Sequence, residues 1–144
     1  MNKIESAKIH FQEEFRQIAN KFTVLDLQLN RDGIKKELSE LSKEVLPSKK
    51  ENLIWHPGVY VFIGGDNVYK VGSSLNNSRK RALEHFRDNT KKDGISIHDI
   101  YQHPDARILL FNIINPKEDS HWILTLEAFL EKKLDPKIRS GRIG

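Results

Sequence analysis

Residues 58–74, running from Gly58 to Ser74, constrain the fold more than any other stretch of the 144-residue chain. Val59, Val61 and Ile63 alternate with Tyr60 and Phe62, the period-2 pattern of a half-buried strand. Gly64-Gly65-Asp66-Asn67 follows, a set of residues that tolerates the positive φ of a tight hairpin turn. Val68 to Val71 then resumes the β-branched and aromatic composition of a second strand. A two-stranded hairpin is marginal alone, so the rest of the chain must be read as whatever covers it.

Two stretches offer that cover. Ala106 to Asn115 is apolar at almost every position, as expected of a central strand, and Asn115-Pro116 closes it. Trp122 to Leu134 follows as a helix with Trp122, Ile123, Leu126, Phe129, Leu130 and Leu134 on its stripe, ended by Asp135-Pro136. Between hairpin and strand, Asn76-Asn77-Ser78 offers N-caps for a helix over about 78–90, with Ala82, Leu83 and Phe86 inward. Lys91-Lys92-Asp93-Gly94 stops that helix, with Gly94 as its cap. Strand, strand, helix, strand, helix describes an α+β fold: a small three-stranded sheet flanked by helices.

The first third reads differently. Residues 4–22 repeat Ile4, Phe11 and Ile18 at sevens, an amphipathic helix. Leu25, Leu27 and Leu29 alternate as a short strand or an extended connector, Arg31-Asp32-Gly33 signals a turn, and 34–46 has helical spacing. The polar stretch Leu46 to Asn52 is the candidate boundary. Residues 1–50 are therefore expected to be a helical N-terminal extension for dimerisation or recognition, and 51–144 the chemical domain.

Composition narrows the function. No cysteine is present, which removes disulfides and thiolate metal sites. Met1 to Ser6 leads into no apolar run, so neither a signal peptide nor a membrane span is expected and the default location is the cytoplasm. The net charge of +4 is small, but it is concentrated. Lys70, Arg79, Lys80, Arg81, Arg87, Lys91 and Lys92 face only Glu84 and Asp88 in their segment, and Lys132 onward is basic again. Clustered cations of this kind make a phosphate footprint or a solvated helix face. The histidines His10, His56, His98, His103 and His121 do not have zinc-site spacing.

Gly58-Val59-Tyr60, then Lys70-Val71-Gly72, then a helix with Arg81 and a later helix with Glu127, resembles the GIY-YIG nuclease superfamily over roughly residues 57–140. Lysine stands where the second motif usually has tyrosine, as in some phage-type and restriction-enzyme branches. The resemblance implies a metal-dependent DNA endonuclease. Tyr60 and Lys70 would activate water, Arg81 would stabilise the transition state with His85 assisting, and Glu127 would hold Mg²⁺ or Mn²⁺, with Glu131 and Glu118 as fallbacks. Arg79, Lys80, Arg87, Lys137 and Arg139 would contact DNA, RNA being left open as a substrate, and a homodimer would form through the N-terminal helices. The family's late asparagine has no counterpart; Arg139 or Ser140 stands there. Parity favours Lys70 over its neighbour Tyr69: Tyr69 should share the face of Val71, and Lys70 the face of Tyr60.

Overall fold

The computed structural model describes residues 3–46 and 51–139, so the linker at 47–50 and the tail from Ser140 lie outside the described residues. Helix α1 (Lys3–Arg16) leads through a 3₁₀ turn into β1 (Phe22–Gln28), and a small hairpin of β2 (Asn30–Arg31) and β3 (Ile34–Lys35) precedes the short α2 (Leu38–Lys43). A 3₁₀ turn at Glu51–Trp55 leads to β4 (Gly58–Gly64), β5 (Asn67–Ser74) and α3 (Ser78–Arg87). A second small hairpin, β6 (Lys91–Lys92) with β7 (Ile95–Ser96), and a 3₁₀ turn at Ile97–Gln102 precede β8 (Arg107–Ile113). The short α4 (Pro116–Asp119) and α5 (Trp122–Leu134) complete the order. No helix among the described residues is long and apolar enough to cross a membrane.

The fold is α+β, built on a four-stranded antiparallel sheet in the order β1-β8-β4-β5. The sequence reading gave three strands. The fourth is β1, which pairs with β8 along its whole length, from Phe22 opposite Ile113 to Gln28 opposite Arg107. The alternation of Leu25 and Leu27 is thus a strand's, and residues 22–28 belong to the same sheet as the hairpin rather than to a helical arm. Of the expected extension, α1 remains a candidate for dimerisation, with Ile4 and Ile9 exposed; the side chains of Phe11 and Phe15 lie outside the described set.

Both faces of the sheet are covered, which is why β4 and β8 read as near-continuous apolar runs. On one face Tyr60 and Phe62 of β4 join Ile108 and Leu110 of β8 and Leu25 and Leu27 of β1, under α3 and the Ile97–Gln102 turn. On the other, Val59, Val61 and Val71 meet Ile113 and Ile123, with Leu126 and Leu130 of α5 packed against them. Tyr60 is therefore a buried residue of the larger core cluster.

Turn chemistry explains the remaining departures from expectation. Asp32 and Gly33 both have positive φ, as do Asp93 and Gly94. Asp-Gly at the two centre positions is the strongest short signal for a type I′ hairpin. The first pair makes the β2–β3 turn that Arg31-Asp32-Gly33 signals, and it puts Ile34 and Lys35 in β3 instead of the helix expected over 34–46, leaving only Leu38–Lys43 helical. The second pair makes the β6–β7 turn, so Gly94 is not the cap of α3, which ends at Arg87. In the main hairpin Gly65 alone takes positive φ, the II′ pattern, and its N–H donates to Asp105 Oδ1 at 2.8 Å.

One buried side chain ties the start of α3 to the sheet. Asn112 on β8 donates from Nδ2 to the Leu53 carbonyl at 2.7 Å and accepts the Ser78 hydroxyl on Oδ1. Asn77 caps the same helix by accepting the Lys80 N–H at 3.0 Å. The orientation of α3, and of every basic residue on it, follows from these bonds.

Candidate active site

Register decides which hairpin residues can meet. Tyr60 lies opposite Gly72, Val61 opposite Val71 and Phe62 opposite Lys70; then the pairing shifts, so that Ile63 faces Val68. Tyr69 is the extra residue of a β-bulge. A bulge lets two neighbours point to one side of a strand, which simple alternation forbids. Lys70 does share the face of Tyr60, as parity predicts. Tyr69 does not share the face of Val71: it is buried in the Tyr60–Phe62 cluster, its hydroxyl 2.9 Å from His103 Nε2.

Gly72 makes room for Tyr60. A Cβ there would overlap the phenol oxygen and the adjoining ring carbons, so the ring lies flat over the glycine. The His85 ring from α3 stands beside it, with centroids 5.8 Å apart. His85 Nδ1 is 2.8 Å from the Thr90 hydroxyl. Burial, and then the charges of Lys70 and Arg81, hold the His85 imidazole down at about 4, so it is neutral at neutral pH.

Lys70 is only 8% exposed. Burial lowers its pKa, opposed by the carboxylates of Glu131 and Glu127, while Arg81 and Lys92 push in the direction of burial. Glu127 is buried and accepts the Ser73 hydroxyl on Oε1 at 2.6 Å. Ser73 lies opposite Val59, on the side of the sheet that α5 covers. Glu131, the fallback for Glu127, is buried as well. The inward row of α5 is Ile123, Glu127 and Glu131 at i, i+4, i+8, while Phe129 and Leu134 of the expected stripe are exposed. That spacing was the available signal for Glu131, masked by the more apolar row beside it.

Tyr60 and His85 thus meet ring against ring, and Lys70 and Arg81 act on His85 electrostatically. Glu127 stands with Ser73 on the α5 side of the sheet and is tied to the others through its electrostatic influence on Lys70. Arg81 is half exposed, its nearest carboxylate Glu84 at 3.8 Å. Glu118 sits in the short α4, away from this row.

The expected footprint divides. Lys80 and Arg87 are exposed on α3, although Arg87 is engaged by Asp88 at 3.0 Å, and Lys137 is exposed beyond α5. Arg139 is tied to Asp135 and to the Glu131 carbonyl at 3.2 Å. Arg79 is not on the open surface: it is 1% exposed, with Nη1 donating to the Glu44 carbonyl at 2.5 Å. The chain after α5 closes over the start of β5, where Lys137 N–H donates to the Val68 carbonyl and Ile138 N–H to that of Tyr69.

As for a metal, no group of three or more His, Asp or Glu side chains among the described residues is placed to hold one. Glu127, with Glu131 one turn on, offers hard oxygen donors, and magnesium is commonly held by one or two carboxylates with phosphate and water completing its shell. The donor set fits that mode and no fuller protein cage.

Comparisons with protein-family models, with curated proteins and with solved structures returned no match. The functional reading therefore rests on the chemistry of the site.

The depressed His85 pKa gives a test of this geometry. The folded value of about 4 lies below the ordinary 6.5, so between these the unfolded chain binds the extra proton and stability rises with pH. Full benefit is present above about 6.5 and is lost as pH falls through about 4. Chemical denaturation at pH 7 and at pH 4 should show His85→Gln losing less stability than the parent on acidification, by less than the ~3 kcal/mol of the full shift because solvent screens the half-buried ring. Equal losses would mean that His85 is not held neutral by this environment.

Proposed function

We propose that the protein is a metal-dependent endonuclease of the GIY-YIG type, hydrolysing phosphodiester bonds in DNA by in-line attack of water. The observation that carries the reading is the Tyr60–Gly72 register. The two motifs face each other across one strand pair, with Lys70 on the same side and His85 against the phenol. In this reaction the water oxygen forms a bond to phosphorus, the bond to the leaving sugar oxygen breaks, and the water proton passes to a base.

Each residue has a part its environment suits. His85, neutral at working pH, can accept a hydrogen bond from the attacking water and, its basicity being lowered, relays the proton to solvent water as the final base. The Tyr60 phenol, an acid too weak to ionise unaided, is helped by the Lys70 ammonium on the same face. Arg81 is the most exposed of the group and its guanidinium can span two phosphate oxygens as charge accumulates. Glu127, steadied by Ser73, would hold the divalent ion with Glu131 nearby. That ion, when bound, supplies Lewis acidity towards a phosphate oxygen.

The deep burial of Tyr60, at 2% exposure, favours a second reading, in which the same surface binds nucleic acid without cutting it. Nicking of supercoiled plasmid in Mg²⁺ and in Mn²⁺ separates the two. The enzyme reading predicts cleavage that Arg81→Ala slows roughly 10²–10³-fold, with partial recovery in Arg81→Lys. No cutting by clean wild-type protein of plasmid, linear duplex or RNA, in either metal, leaves only the binding module.

A further inference from the structure

Helix α3 borders a second concavity that includes neither Arg81 nor His85. It is a cleft of about 430 Å³ between α2 and α3, lined among others by Ser39, Trp55, Arg79, Lys80, Leu83 and Arg87. That volume is in the range of small-ligand pockets, roughly 300–1,000 Å³.

Two features of it are unexplained by the fold. Trp55 is 51% exposed, an unusual state for a large aromatic ring, yet it is not left loose: the Arg79 guanidinium carbon lies 4.6 Å from the ring centroid. Arg79 itself is buried, and while Nη1 reaches the Glu44 carbonyl, Nη2 has no hydrogen-bond partner. A buried guanidinium donor without an acceptor forfeits its hydration with nothing in return. Burial accordingly pushes the Arg79 guanidinium below its ordinary pKa, with Glu44 pulling the other way. Lys80 and Arg87 add exposed cations at the same rim.

We propose that this cleft binds a nucleotide, its base stacked on Trp55 beside the Arg79 guanidinium and its phosphate held by Lys80 and Arg87. The ligand class follows by elimination. A purely apolar ligand would cover Trp55 and leave Lys80 and Arg87 unmet, whereas a bare anion would satisfy the cations and leave the indole in water. A flat ring carrying a phosphate answers both, and base–aromatic stacking needs no particular base. The nucleotide is either free or one residue of a strand, and only the strand form rests on the nuclease reading above. In that form the cleft is a station on the nucleic-acid path, separate from the residues that cut.

The test uses the full chain in EDTA, so that cleavage plays no part. The protein has two tryptophans, and Trp122→Phe leaves Trp55 as the sole indole reporter. Saturable change of its fluorescence by thymidine monophosphate identifies a free-nucleotide site. A change by oligothymidylate alone identifies the strand form, and either supports the proposal. No change with either ligand overturns it. Anisotropy of labelled oligothymidylate on otherwise unaltered protein gives a second readout. Trp55→Ala should bind about ten- to a hundredfold more weakly, Trp55→Phe nearly as well as the parent, and Lys80→Ala should reduce the salt slope by about 1. Arg87→Glu, a surface change, should weaken binding without disturbing the fold, which covers the case of Trp55→Ala failing to fold. Unaltered binding by both Trp55→Ala and Arg87→Glu overturns the cleft. A Trp55 response without any cutting in magnesium sinks the nuclease reading and leaves the cleft standing. Cutting without a Trp55 response does the reverse.

Discussion

Replacing Gly58 with alanine is expected to unfold the protein or leave it barely stable. Gly58 opens β4 and lies opposite Asn112 of β8 in the register. A Cβ at this position would meet the Phe111 carbonyl oxygen and stand 2.7 Å from the Asn112 Cα. Both are backbone atoms of the neighbouring strand, so no rotamer change can make room. The strands would have to part where Asn112 also anchors Leu53 and Ser78. Overpacking a core ordinarily costs about 1–3 kcal/mol, and a clash against rigid backbone should exceed that. Against a total stability of about 5–15 kcal/mol for a domain, the loss would show as a large drop in the urea midpoint. A Gly58→Ala midpoint within experimental error of the parent would mean that β4 and β8 are not paired here.

The second large effect concerns Glu127. Changing it to glutamine keeps the size of the side chain and an oxygen to accept the Ser73 hydroxyl, so the helix should stay where it is. What disappears is the charge. The carboxylate is one of two that raise the pKa of buried Lys70, the other being Glu131, and in the proposed reaction it is also the metal ligand. Cleavage should fall by at least about a thousandfold while far-UV circular dichroism stays unchanged. Glu131→Gln should fall less, because its expected role is to support the neighbouring carboxylate and Lys70 rather than to carry the ion.

Much of this arrangement is legible in the amino-acid order, and the exceptions have specific causes. The β4–β5 hairpin is visible because Val59 to Ile63 alternate and Gly65 can take positive φ, both properties of individual residues. The bulge at Tyr69 is not visible, since it is a property of the strand pair and only the register reveals it. Alternation therefore placed Lys70 correctly and Tyr69 on the wrong face. Residues 22–28 look like a strand, but nothing local says that their partner is 85 residues away in β8. The end of α5 at Leu134 follows from Asp135-Pro136, whereas its facing does not. Phe129 and Leu134 look like core and are exposed; Glu127 looks like the border of the apolar stripe and Glu131 like surface, and both are buried. Hydrophobic periodicity counts only apolar burial, and here carboxylates occupy the inward row with a buried lysine within electrostatic reach. Arg79 misled for the same reason: a cation on a basic helix reads as solvated, although stacking on Trp55 and a bond to Glu44 keep it inside.

The most direct measurement of the central claim is single-turnover cleavage of an end-labelled DNA duplex by wild-type protein and by Glu127→Gln, with Mg²⁺, with Mn²⁺ and with EDTA. The proposed enzyme cuts only when a divalent ion is present, and Glu127→Gln lowers the rate at least about a thousandfold at unchanged duplex affinity. Cleavage in EDTA, or a Glu127→Gln rate within about tenfold of wild type, would contradict it.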